Sequence, residues 1–252
     1  MLQFDCGWEE KIHTLLKYFA YRRIEAIDYQ CFDRLWVVGS EDRDTLASRS
    51  SLHVKRITIP VDPEYFDFKS RIPEENAVSF RCIIGTAMYI RDFARDISLW
   101  IASEVPDEVL SGFEFVGCGP EPIADLQDLL NRIGYRHFGW VPNYAEFIQT
   151  ASIFIYPQRV GSGIQNKVIQ AMAMGMVCIL SKEVASATGV SHECECLVVQ
   201  KPEDVWPALS RLRRDWKLMQ LLSINARNFC DSQFSFASVS ATLKGELSEI
   251  IS

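Results

Sequence analysis

Arg159-Val160-Gly161-Ser162-Gly163-Ile164-Gln165-Asn166-Lys167-Val168-Ile169-Gln170-Ala171-Met172-Ala173-Met174-Gly175 is the stretch from which the fold can be read. Just before it, Ser152-Ile153-Phe154-Ile155-Tyr156-Pro157 is an apolar run closed by proline, the pattern of a buried strand. After Gly161 the period changes. Ile164, Val168 and Met172 recur every fourth residue, which places them on one helical face. Ser162 with Gln165 three residues on fits a capping box, and predicts a helix from Gly163. Gly175 suits the left-handed residue that ends a helix, and Val177-Cys178-Ile179-Leu180 reads as the next strand. The unit is strand, glycine loop, helix, strand.

Such a loop is suited to an anion. Free backbone N–H groups converge at a helix start, the dipole is positive there, and Gly161 and Gly163 allow close approach. Arg159 and Lys167 bracket the loop with cations, and Asn166 and Gln170 lie four apart on one face. An ordinary capped helix with solvated side chains would show the same spacing, so the motif alone leaves both readings open.

Working outward, strands and helices alternate. Strands are expected at Ser79–Gly85, Phe113–Gly117, Tyr135–Gly139, Ser152–Tyr156, Val177–Leu180 and Cys196–Val199. Helices are expected at Asp92–Glu104, Ile123–Ile133, Tyr144–Thr150, Pro202–Arg213 and Asp215–Asp231. This order predicts an α/β fold, a Rossmann-like doubly wound parallel sheet with right-handed crossovers. Ligands in such sheets sit at the carboxyl ends of the strands, where Gly85, Gly117, Gly139 and the 157–163 loop fall. Upstream, 8–30 has helical periodicity, Leu35–Val38 and Val54–Ile59 read as strands, and Glu41–Ser50 as a short helix. The polar run 69–78, with Pro73, reads as a linker. Residues 1–68 are then a partial N-terminal unit, 79–232 the main domain, and 233–252 a C-terminal crossover helix.

The totals narrow the function. A chain of 252 residues, 48% hydrophobic, is long enough for a sizeable core. Its net charge of -7 argues against a general nucleic-acid or anionic-membrane surface. No run is long enough to span a bilayer, and no basic-then-apolar leader is present, so a cytoplasmic location is expected. The eight cysteines lack zinc-ligand spacing, so reduced thiols and no metal are expected. Gly117-Cys118-Gly119 resembles the start of a dinucleotide fingerprint, but Pro122 stands at its third glycine. Ser181 and His192 have no evident acid to complete a triad.

Taken together, Phe115-Val116-Gly117-Cys118-Gly119-Pro120, His137-Phe138-Gly139-Trp140-Val141-Pro142 and Gly161 to Val177 resemble the C-terminal, donor-binding domain of GT-B fold glycosyltransferases of family four, or group one. Asp33 to Ser40 and Ile57 to Asp62 look like the end of that family's N-terminal domain. The resemblance implies a retaining transfer of sugar from a nucleotide-diphosphate sugar to an acceptor (a glycan, lipid or small molecule), without a separate cofactor. It implies that Gly161, Ser162, Gly163 and Ile164 face the diphosphate and sugar, that Lys167 stabilises the leaving phosphate, and that Val141 and Pro142 border the base. Gly85, Thr86 and Arg159 would complete the donor site, and Gln170 would meet the ribose.

Two departures stand out. The family's paired glutamates fall on Ser162 and Gln170, which lack a carboxylate's charge. Most of an N-terminal domain is also missing, so a fragment, a truncated reading frame and half of a split enzyme all remain open. The rival readings are a non-catalytic nucleotide-sugar-binding or partner-docking domain and a nucleotide-sugar epimerase. Leu35, Val37 and a C-terminal stripe of Phe236, Val239, Leu243, Leu247 and Ile250 are expected to lack cover. Self-association, or a separately supplied N-terminal domain, would provide it.

Overall fold

A computed structural model of the chain describes residues 32–49, 51–62, 66, 79–159 and 163–251. The helix expected over 8–30 and the linker over 69–78 lie outside the described residues.

Six parallel strands form the main sheet: β3 (Phe80–Ile84), β4 (Phe113–Gly117), β5 (Arg136–His137), β6 (Ile153–Tyr156), β7 (Val177–Ser181) and β8 (Cys196–Val199). Their spatial order is β5-β4-β3-β6-β7-β8. Counted within this sheet the order is 3-2-1-4-5-6, the doubly wound arrangement, and it reverses between β3 and β6. Cys82 pairs with Ile153 and Ile84 with Ile155 across that seam.

Strands covered on both faces need apolar side chains at every position, which is why they read as continuous runs. In β6, Ile153 and Ile155 enter one core cluster while Phe154 and Tyr156 enter the other. On the first face lie α2 (Arg91–Ala102), α8 (Val205–Arg214) and an aromatic trio of Trp100, Phe115 and Trp206. The Trp100 and Trp206 rings are 4.8 Å apart, and Trp206 Nε1 donates to the Trp100 carbonyl at 3.1 Å. The second face is covered by α5 (Tyr144–Ile148), α6 (Asn166–Ala173), α7 (Lys182–Thr188) and part of α9 (Trp216–Gln233). Two short helices were not expected, α3 (Asp107–Gly112) and α7. Ser181 caps α7 by accepting from Val184 N, and Gly189 closes it at φ 88°. The helix expected over 123–133 splits into a 3-10 turn at Ala124–Leu126 and α4 (Gln127–Arg132). The expected third strand shrinks to two residues, because Gly139 turns to φ 59° and its carbonyl accepts from Gly119 N.

A second, smaller unit pairs β1 (Arg34–Val37) with β2 (His53–Arg56) in parallel, joined by α1 (Ser40–Arg49). Trp36 and Phe32 are exposed, and Leu35 and Val37 are half-buried. Helix α10 (Phe236–Ile251) returns to this unit. Its expected stripe is largely uncovered, with Phe236, Leu247 and Ile250 exposed and Val239 and Leu243 half-buried. The one buried side chain in α10 is an acid, Glu246. Its carboxylate meets Lys55 Nζ at 3.0 Å, His53 Nε2 at 3.3 Å and Arg34 at 3.5 Å. His53, Glu246 and Glu249 bring three metal-ligating atoms together, but Arg34 and Lys55 already neutralise the two carboxylates. Among the described residues no helix is long and apolar enough to cross a membrane.

Candidate functional site

The reversal of strand order separates the crossovers that leave β3 and β6, and opens a crevice beyond their carboxyl ends. Gly85 and Thr86 follow β3. A Cβ on Gly85 would lie 2.1 Å from the Phe154 ring, so glycine is required there by packing. Thr86 is buried, and its Oγ1 has no hydrogen-bond partner among the described residues. A buried hydroxyl of this kind is costly to leave unmatched.

Beyond β6 the chain runs through Gln158 to Arg159. The Ser181 hydroxyl holds the Gln158 carbonyl. Arg159 is tied to Asp96 on α2: its backbone N donates to Oδ2 at 2.7 Å, and Nε and a terminal nitrogen donate to Oδ1 at 2.9 and 2.7 Å. Asp96 is only 2% exposed. Arg159 therefore has its charge matched within the protein, and the pair fixes where the loop departs. The sequence analysis missed Asp96. Its signal is an acid on the inward face of α2, beside the buried Ile97 and Trp100.

Gly161 and Ser162 lie outside the described residues. Gly163 follows with φ 75°, a left-handed value that favours glycine. The helix begins three residues later than expected, at Asn166, while Ser162 of the expected capping box lies outside the described residues. The physical reason is Tyr156. Burial pushes its hydroxyl up to about 12, so it stays protonated and donates to Gln165 Oε1 at 3.0 Å. Gln165 is thus the residue before the helix, held by the strand beneath it. Ile164, Val168 and Met172 pack on the second core as the spacing implied, and Gly175 ends the helix at φ 74°. Asn166 and Lys167 are exposed and Gln170 is half-buried, so the polar face of α6 is open where the first turn begins.

Cys118 stands in the turn after β4. Burial pushes the Cys118 thiol up, and the Lys167 ammonium pulls it the other way, so the two lie within electrostatic reach. Around Cys118, Gly117 serves packing and Gly119 a left-handed backbone at φ 105°. A Cβ on Gly117 would meet the Tyr135 hydroxyl at 2.1 Å, which explains the Gly117-Cys118-Gly119 pattern without a dinucleotide. His137 Nε2 faces the Gly119 carbonyl at 3.0 Å. A carbonyl only accepts, so Nε2 carries the proton and Nδ1 accepts from Tyr135 at 3.2 Å. This network fixes the turn that leads to Trp140, which is almost fully exposed, then to half-buried Val141 and exposed Pro142. Asn143 caps α5 by accepting from Glu146 N. Ser181 and His192 form no triad: Ser181 caps α7, and His192 Nδ1 accepts from Val198 N.

The small unit touches the same crevice. Ser40 Oγ donates to the Ser186 carbonyl, and Arg56 reaches the Thr188 carbonyl. Gly39 lies against Gly163: a Cβ on Gly39 would be 3.3 Å from Gly163 Cα. The sequence analysis singled out neither Gly39 nor its neighbour Asp42.

A sequence model of the family described as glycosyl transferases group 1 matches residues 87–215. No curated protein sequence matches the chain. Among solved structures, HepE of Anabaena, in complex with UDP, aligns with a TM-score of 0.70 at 12% identity, over 86% of this chain and 64% of that one. The glycosyltransferase WaaG, involved in lipopolysaccharide biosynthesis, aligns at 0.67 and 13% identity, over 95% and 72%. Sucrose-phosphate synthase of Thermosynechococcus elongatus aligns at 0.66 and 15% identity, over 87% and 58%. These likenesses establish the shared fold. The chain spans less than two thirds of the length of HepE.

Proposed function

Because the chain belongs to the glycosyl transferases of group 1, we propose that the crevice between β3 and β6 holds the nucleoside diphosphate of a sugar donor, as part of a glycosyltransferase of retaining type. The observation that carries this reading is the strand reversal. It gathers Thr86, the left-handed Gly163, the start of α6 and Lys167 around one opening. HepE has been captured with UDP and with UDP-glucose, so uridine nucleotides are the first ligands to try.

Each residue has a physical task in this reading. The first amides of α6 point along a positive dipole and donate to phosphate oxygens. Lys167 supplies a cation. As the bond between sugar and phosphate breaks, negative charge grows on the phosphate, and a cation fixed nearby lowers that barrier. The Thr86 hydroxyl donates to a ligand oxygen in the same crevice. Asp96 holds Arg159, and the pair positions the loop at the edge of the donor site. Gly161, Ser162 and Ile164 would line the diphosphate and sugar, and Val141 and Pro142 would border the base. Half-buried Gln170 offers an amide to the ribose hydroxyls in place of a carboxylate.

A second reading is a domain that binds the nucleotide sugar without transferring it, and the uncharged Gln170 favours it. Isothermal calorimetry with UDP tests what the two share. Lys167→Ala should weaken binding about tenfold or more, and Gln170→Glu should tighten it by a few fold through charge-assisted bonds. Equal affinity in wild type and Lys167→Ala would remove the phosphate site. Turnover of UDP-glucose onto an acceptor would then separate transfer from binding.

A further inference from the structure

The first turn of α1 reaches the glycine loop at Gly163. A Cβ on Gly163 would lie 3.7 Å from Asp42 Oδ2, so the carboxylate overhangs the loop where the absent side chain would point. Asp42 is half-buried and has no hydrogen bond or ion pair among the described residues. The neighbouring cation on α1 is engaged elsewhere, because Arg43 is bonded to Asp44. Near Gly163 there are thus an exposed cation, Lys167, and a carboxylate from α1 that has no partner among the described residues.

We propose that Asp42 is a specificity-determining residue that favours the intact nucleotide sugar over the free nucleoside diphosphate. The proposal rests on the donor-site reading above. A free diphosphate ends in a phosphate that carries close to two charges near neutral pH. Esterified to a sugar, the same phosphate keeps one charge and brings hydroxyl groups. A carboxylate repels the first and accepts hydrogen bonds from the second. Asp42 therefore helps to expel the nucleotide left after the sugar departs, while tolerating the donor that replaces it. Close approach of the two backbones is what gives the carboxylate this reach: a Cβ on Gly39 would crowd Asp42 Oδ2 at 2.7 Å and Gly163 Cα at 3.3 Å, while glycine at 163 is favoured by its φ of 75°.

The test is calorimetry on the full chain with UDP and with UDP-glucose, for wild type, Asp42→Asn and Asp42→Ser. Both variants should bind UDP roughly tenfold more tightly and UDP-glucose no more tightly than wild type. The gain for UDP should shrink at about 0.5 M salt, where exposed charges are screened. An unchanged ratio of the two affinities, whether both shift together or neither moves, overturns the proposal. Two variants guard against a folding defect in one. If wild type binds neither ligand, the donor-site reading falls and this inference falls with it. If wild type binds both and Lys167→Ala weakens binding while the ratio in Asp42→Asn is unchanged, only the role of Asp42 is lost.

Discussion

Asp96→Asn isolates the anchor of the functional loop, because it keeps the shape of the side chain and removes its charge. In the native protein the carboxylate accepts three N–H groups from Arg159, at 2.7, 2.9 and 2.7 Å, while almost wholly buried. Hydrogen bonds to a charged group contribute about 1.5–3 kcal/mol each, neutral ones about 1. Asparagine can keep one acceptor, but its amide nitrogen faces donors. The Arg159 side chain is 37% exposed, so water partly replaces what it loses, and the sum must be discounted accordingly. A net loss of about 2–3 kcal/mol remains. With a urea slope of about 2–3 kcal/mol per molar, the unfolding midpoint followed by circular dichroism should fall by about 1 M. Arg159→Met should destabilise as well, since it strands a buried carboxylate. The double variant should lose less than the sum of the singles, by about 1–2 kcal/mol. A midpoint within about 0.2 M of wild type, or strictly additive losses, would show that the pair does not hold the loop.

Other outcomes follow from single contacts. Gly85→Ala places a methyl 2.1 Å from the Phe154 ring, so it should lower stability by about 1–3 kcal/mol in urea melts; a neutral effect would mean the ring moves freely. Trp206→Ala removes the centre of the aromatic trio and the bond to the Trp100 carbonyl, for a loss of about 3–5 kcal/mol; under 1 kcal/mol would contradict the packing described. The Glu246 carboxyl is held below its ordinary range, first by its bond to Lys55 and then by His53. Its stabilising effect is therefore present above that range and lost as pH falls below about 4, when protonation leaves Lys55, Arg34 and His53 facing one another. Amide exchange in α10 should rise there in wild type and be raised already at neutral pH in Glu246→Gln. Identical exchange in the two proteins at pH 7 would count against the clasp.

Sequence pattern revealed the main sheet because its strands are buried on both faces. Phe113–Gly117 and Cys196–Val199 fall where their apolar runs lie. Errors cluster where one long-range contact overrides a local signal. A helix was expected from Gly163, but the Tyr156 hydroxyl holds the Gln165 side chain and the helix starts at Asn166. Asp96 meets a partner in the chain beyond β6, so nothing near it in sequence announces its role. Asp42 and Gly39 belong to a different unit from the loop they face, and their proximity exists only once the units are packed. Gly85 and Gly117 were noted as strand ends where ligands of such sheets sit. The structure gives both a packing partner, an aromatic ring or a tyrosine hydroxyl, that spacing could not reveal. The glycine loop kept its reading in part: the apolar face of α6 packs as spacing implied, while Gly161 and Ser162 lie outside the described residues.

Two stretches of backbone lie side by side at the root of α10. Val61 N donates to the Phe234 carbonyl at 2.8 Å, and the Thr58 hydroxyl reaches the Gln233 carbonyl. Glu246 lies twelve residues beyond Phe234, about 18 Å away at the helical rise per residue. Mechanically this is a lever with its fulcrum at residues 58–61 and 233–234 and its latch at Glu246. A tilt of only about ten degrees at the fulcrum would carry the carboxylate some 3 Å, enough to break its contacts with Lys55 and His53.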